Sequence, residues 1–441
     1  ASTATTIDIP LTNLTQLTAY TFEVKAVDKA GNESAVKQIK FTTLEEIKFK
    51  PVIATGLTPI KWNASNAVVT TTDTDPEWFD YQNKKWANAQ TNDGSMWTWI
   101  PRYAYRIIYY SGAVTDNVGT GNIIGYSDNR GLVDVTGKPS TAFNRLNGRV
   151  EVVFLGANNF QYFNGINYVG DVRLNDATNN PKHYVVHPAF SAERRKGYIK
   201  KADGNFGCDV EIPGFWVSKF EMSEGCVSKE NITSQRNMTV SAMFDEGRNI
   251  ANTRQITGAD SMLMTNTQWG AVAYLTKAFG REPDINANTS YITANGDYKA
   301  NVLQSTTGNV AGVYDMSGCA METISAYVNN NILTIVDGQK LFDNKNKKYV
   351  DVYAVGSEDS RDLNYQANAD KYGDAQYEVS SNGTNSPVGW NDDCSYFPYS
   401  VYPVSHRGGT PPDGKNAGVF AFHGHRGKPN ITYSWRGTFT L

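Results

Sequence analysis

The chain is poor in the residues that carry most enzyme chemistry. Of 441 residues only 5 are histidine and 4 are cysteine. The cysteines, Cys208, Cys226, Cys319 and Cys394, are far apart and form no CxxC pair, so zinc-ribbon and thioredoxin signatures are missing. They read as free buried thiols or as containing one disulfide, and spacing does not choose between the two. No apolar run reaches the roughly 20 residues that a membrane helix needs, so membrane insertion is not expected. Basic excess is lacking too: 41 Lys and Arg stand against 44 Asp and Glu, without clustering. A nucleic-acid partner, which requires a basic stripe, is therefore not expected. "TGNVAGVYD" has spaced glycines but no helix start and no acidic partner, so it is a structural turn and not a dinucleotide loop.

Apolar and aromatic residues are plentiful. Hydrophobic residues make up 40% of the chain, and the 25 tyrosines and 9 tryptophans supply a large core and surface aromatics. The length suits two or three domains. Residues 1–45 alternate as strands, with Tyr20, Phe22, Val24 and Ala26 on one face, followed by a turn at Gly31–Asn32. Residues 46–95 are polar and turn-rich, and read as a connector or a small β unit. From residue 96 onward a third unit is expected. "MWTWIPRYAYRIIYY" is a strand candidate in which Pro101 marks an edge or a bend. "PGFWVSKFEMS" is another strand. "TNTQWGAVAYLTKAFG" is a helix with a capping box at Thr265 and Gln268 and a C-cap glycine at Gly280, and "VSAMFDEGRNIAN" is a weaker helix. The closing "SWRGTFTL" ties the C-terminus into a sheet. The fold class expected is α+β.

Two resemblances follow from these segments. "LTNLTQLTAYTFEVKAVDKAGNES", with Leu17 and Tyr20, resembles the last part of a fibronectin type III domain, which implies a truncated β-sandwich spacer and a chain that starts mid-domain. The order "IPGFWVSKFEMS", "NTQWGAVAYL", "TGNVAGVYDMSGCAMET", "HRGG", "YSWRGTFTL" resembles the formylglycine-generating-enzyme type of C-type lectin fold, over residues 211–441 within a 96–441 domain. Gly312, Tyr314, Asp315, Met316, Gly318 and Glu322 fit its central pattern, while Cys319, Met321 and Thr323 replace its Asn and two Trp. The chain also resembles prophage tail-fibre proteins and the variable proteins of diversity-generating retroelements, in which such a scaffold displays a ligand surface on its C-terminal loops.

The resemblance implies a choice between catalysis and binding. Enzymes of that type place a copper-binding cysteine pair after the Arg-Gly-Gly motif. Here no cysteine follows Arg407-Gly408-Gly409, and Cys394 precedes it alone. The scaffold's iron enzymes need a histidine cluster, but His183 and His187 fall on a strand, about 13 Å apart. The pair His423-x-His425 lacks a nearby third ligand. No catalytic residue, metal site or cofactor is therefore expected, beyond a structural calcium that the scaffold would admit near Asp315 and Glu322. The expected function is a non-enzymatic receptor-binding module of a phage tail or bacterial surface adhesin. Its partner would be a host cell-surface glycan or protein, and a tail fibre would be a homotrimer. A divergent oxidase and a purely structural surface protein are the alternatives.

The expected ligand residues lie between scaffold pieces near the C-terminus. They are Asn391, Tyr396, Tyr399, His406 and Lys415, then His423, His425, Arg426, Lys428, Asn430 and Tyr433. Tyr, Arg and Asn give contact area and adaptable hydrogen bonds at low entropic cost. Asp315, Glu322, Arg407, Gly408, Gly409, Trp435 and Arg436 are expected to be structural, the arginines by bracing loops through backbone carbonyls.

Overall fold

A computed structural model of the chain describes residues 19–42, 50–81, 83–128, 130–155, 160–163, 168–172, 184–190, 212–329, 336–344, 348–385 and 388–441. Leu17, His183 and Cys208 lie outside these residues. The architecture is mixed, sheets with a few helices, as the α+β expectation requires.

The N-terminal segment is a two-stranded antiparallel ladder, Ala19–Val24 with Lys37–Thr42. Beyond it, three larger sheets form among the described residues. The first is centred on Tyr103–Tyr110, flanked by Ile123–Asp128 and Gly148–Leu155. The second runs Asp260–Leu263, Gly437–Thr440, Gly214–Ser218, Met96–Pro101, Asn88–Gln90, Thr58–Trp62 and Val68–Thr70. Three of its strands come from residues 46–95. Asn88–Gln90 pairs with Met96–Pro101, and Thr58–Trp62 pairs in turn with Asn88–Gln90 and Val68–Thr70, so the strands of this stretch extend the second sheet.

The aromatic run splits at Pro101. Met96–Pro101 belongs to the second sheet and Tyr103–Tyr110 to the first, so the proline marks the bend where the chain changes sheet. Met96–Pro101 is buried along its whole length rather than on alternate residues, because it is central and covered on both faces.

Two helices form in the expected segments. α1, Val240–Thr253, starts at Thr239, whose side chain accepts from the Ala242 N–H. α2, Asn266–Ala278, carries the full Thr265–Gln268 capping box. Every residue of α2 is buried, so its apolar stripe is not its only packed face. Gly270 lets the 373–374 backbone approach: an added Cβ would lie 2.0 Å from the Gly373 carbonyl oxygen. Two short helices, α3 (Gln339–Asp343) and α4 (Arg361–Ala367), follow later in the chain.

The third sheet runs Asp351–Tyr353, Met321–Val328, Val404–Arg407, Phe422–His425, Ser395–Tyr396 and Thr384–Asn385. Tyr433–Trp435 pairs parallel to Met321–Val328. The closing segment thus serves two sheets, Tyr433–Trp435 in the third and Gly437–Thr440 in the second, with Arg436 between them.

Arg436 occupies that junction with no exposed side-chain surface. It pairs with Glu322 at 2.7 Å and donates to the Ser218 and Tyr314 carbonyls. Two more buried carboxyls stand close. Asp315 accepts from Asn286 Nδ2 and the Ala294 N–H, and Glu221 accepts from the Ala320 N–H. One guanidinium cannot balance three carboxylates in a dry site. Burial pushes all three acids up, Glu322 to about 7. Glu221 keeps one buried oxygen without a partner, which makes it the group best suited to be protonated. Arg407 donates to the carbonyls of Asp374, Ala375 and Val419. The following Gly408 and Gly409 both take left-handed φ, +85° and +72°, which glycine tolerates best.

Candidate functional site

The expected ligand residues fall into two groups on different parts of the fold. Lys415 and Asn391 belong to one. They line a cavity of about 410 Å³ together with Glu282, Asp393 and Val419. Asn391 accepts from Lys277 Nζ at 3.0 Å, and Lys415 lies 3.4 Å from Asp392. A neighbouring cavity of about 500 Å³ shares Asn391 and reaches Trp390 and Lys277. Burial holds the Lys277 amine below its ordinary range.

The other group gathers around the tip of the third sheet. Tyr399 and Tyr402 close a tight turn, each N–H donating to the other's carbonyl, with rings 5.4 Å apart. Arg361, in the first turn of α4, reaches across to this turn. Its guanidinium carbon lies 4.6 Å from the Tyr399 ring centre, 5.5 Å from that of Tyr402 and 5.7 Å from that of Tyr396. Nη1 donates to the Phe397 carbonyl at 2.9 Å, which fixes the fork. Arg426 is exposed and sits over the outer ring, 4.9 Å from Tyr402. Tyr396 stacks against His423 at 4.9 Å. The result is a half-buried aromatic surface with two guanidinium groups on it. Among the described residues neither Arg361 nor Arg426 has a carboxylate within ion-pair distance.

The histidines do not sit on loops as expected. His406 lies on Val404–Arg407, and His423 and His425 lie on Phe422–His425. His406 faces His423 across the ladder, so the period-two pleat places all three on one side. His406 is fully buried and His425 nearly so, with ring centres 3.4 Å apart and Tyr433 packed against both. His406 and His425 are thus core side chains beneath the surface and not exposed loop positions. Burial keeps them neutral: His425 is pushed down to about 3, and His406 goes well below the ordinary imidazole range. His423 is pushed down to about 4, with Nε2 2.7 Å from Cys394 Sγ.

The remaining residues divide. Tyr433 is half-buried over the histidine pair, and Lys428 is exposed two residues after Arg426. Asn430 is committed to a turn, its Oδ1 accepting from the Thr432 N–H and hydroxyl. His187 is buried beneath Tyr103 and Tyr105. Cys226, Cys319 and Cys394 are free and buried, and burial raises all three thiols, Cys226 to about 12. Among the described residues no group of three or more His, Cys, Asp or Glu side chains could hold a metal ion, and no helix is long and apolar enough to cross a membrane.

No family model and no curated protein matches this chain.

Sequence reasoning missed Arg361 and Tyr402. Tyr402 had a readable signal, since "YSVYP" places two tyrosines at the ends of a tight turn. Arg361 had none: it is 36 residues before Phe397, and only the tertiary fold brings them together.

Proposed function

We propose that the chain is a non-enzymatic binding module that attaches a phage tail or a bacterial surface structure to a host cell. The ligand is held on the arginine–tyrosine surface of Arg361, Tyr396, Tyr399, Tyr402 and Arg426. The observation that carries this reading is the placement of the Arg361 guanidinium among three tyrosine rings at the tip of the third sheet. Tyr and Arg dominate binding hot spots because they offer large faces and fixed donors. The scaffold holds them ready: α4 fixes Arg361, the 399–402 turn fixes two rings, and the buried histidine ladder lies beneath. A lectin-like fold of the formylglycine-generating-enzyme type, with its variable-protein relatives, is the scaffold proposed for this display.

The test is a host-cell and glycan binding screen with the purified chain, repeated with Tyr399, Arg426 and Tyr433 replaced together by alanine. Binding should fall by about a hundredfold or more, in line with the loss of hot-spot residues. Unchanged binding by a folded variant would refute the assignment.

A further inference from the structure

We infer that the ligand of this surface carries a carboxylate on a sugar ring: an acidic glycan of the uronic- or sialic-acid class. The inference rests on the reading of the arginine–tyrosine surface as the binding site and adds the chemistry of its ligand.

Charge is the first argument. Arg361 is partly desolvated, which lowers its affinity for its own proton despite the surrounding phenols. A partly buried guanidinium is ordinarily compensated by a carboxylate. Among the described residues Arg361 has none: its contacts are the Phe397 carbonyl, the Tyr399 hydroxyl and aromatic faces. The nearby acids are Glu358, whose carbonyl accepts from Ser400 in the Tyr399–Tyr402 turn, Asp362, whose carboxylate accepts from the Gly383 N–H, and Asp413, and none of them is within ion-pair distance of Arg361. Asp413 acts on His423 and Tyr433, while its own Oδ2 is taken by the Thr410 N–H and hydroxyl. Arg426 adds a second cation on the outer rim, and Lys428 follows it. The surface is thus built for an anion that the chain does not supply.

Geometry is the second argument. A guanidinium has five N–H donors in a plane and matches a carboxylate edge with two parallel hydrogen bonds. Around Arg361 stand tyrosine faces of the size of a pyranose ring, and no described residue bonds the Tyr396 or Tyr402 hydroxyls. Phenols and ring faces suit a polyhydroxylated ring, whose C–H groups pack on the aromatic face while its hydroxyls pair with phenols. An acidic peptide would need apolar anchors or a strand edge, and the large apolar residue exposed in this turn is Val401 alone.

The experiment uses the full chain with an oligogalacturonate, its methyl ester and a poly-glutamate of equal charge, read by calorimetry. Sialyllactose and lactose form a second acid–neutral pair. The acidic member of at least one sugar pair should bind about tenfold or more tightly than its neutral partner, and salt should weaken it. Arg361→Gln should abolish the preference, and Arg361→Lys should not restore it, because lysine lacks the fork. Arg426→Gln, at an exposed site with no backbone role, should reduce it in a variant whose folding is not at risk. Equal binding of acid and neutral sugars, or poly-glutamate binding as well as the acidic sugar, would overturn the inference. If host cells still bind through Tyr399 and Tyr402 in that case, the surface reading stands and only the ligand class fails. If neither the tyrosines nor the arginines matter to cell binding, both fail.

Discussion

At the scale of single residues, the buried charges make the sharpest predictions. Arg436 stands among Glu322, Asp315 and Glu221, all without exposed surface. Arg436→Met should cost about 3–5 kcal/mol in chemical denaturation, because it strands a buried carboxylate and the Ser218 and Tyr314 carbonyls. Glu221→Gln, replacing the carboxyl best suited to be neutral, should cost under about 1 kcal/mol. The histidine ladder gives a pH signature. The His425 imidazole is held at about 3 in the folded chain, against about 6.5 when unfolded. Its contribution is intact above about pH 6.5 and is lost as pH falls below that, because the unfolded state takes up the proton first. His425→Asn should remove that slope: its stability difference from the parent, measured at pH 7.5 and pH 5.5, should shift in the variant's favour by about 1 kcal/mol at the lower pH. These residues were unevenly legible. Arg407 and Arg436 show their role in residue type, because a planar five-donor group near glycines suits carbonyl bracing. The burial of His406 and His425 was not legible, because "VSHRGG" and "AFHGHRG" read as polar loop until the antiparallel register shows which side faces the core.

At the scale of elements, local chemistry fixes the helices and long-range pairing fixes the strands. α2 begins where Thr265 and Gln268 exchange hydrogen bonds. Thr265→Ala should therefore cost about 1 kcal/mol, read by thermal or denaturant melting. Gly270→Ala should cost more than the cap does, since helix propensity favours alanine while the 373–374 backbone leaves its methyl no room. Capping boxes, apolar periodicity and the proline at the 101 bend are local, so they could be read directly. The membership of residues 58–90 in the second sheet could not, because polar, turn-rich sequence hides short strands whose partners lie elsewhere in the chain. α4 was hidden for a similar reason: seven residues carry too little periodicity to distinguish a helix from a loop. That helix is the element that delivers Arg361 to the site.

At the scale of the whole molecule, the fold sorts the expected ligand residues into two places. Tyr396, Tyr399, His423, Arg426 and Tyr433 gather at the tip of the third sheet, joined by Arg361 and Tyr402. Asn391 and Lys415 line the separate cavity beside α2. Two of the groups lining it are engaged, Asn391 by Lys277 and Lys415 by Asp392, and Glu282 and Asp284 add negative charge to its wall. The arginine–tyrosine surface has guanidinium groups without carboxylates. The proposed function therefore places recognition at the sheet tip. The direct comparison is host-cell binding by two combined variants, one with Tyr399, Tyr402 and Arg426 changed to alanine and one with Asn391 and Lys415 changed to alanine. The tyrosine–arginine set should leave melting nearly unchanged, within about 0.5 kcal/mol per site, whereas Asn391→Ala, at φ +60° and bonded to Lys277, should cost about 1 kcal/mol. Loss of binding by the first variant with full binding by the second is the expected result. Full binding by the first, or loss confined to the second, would contradict it.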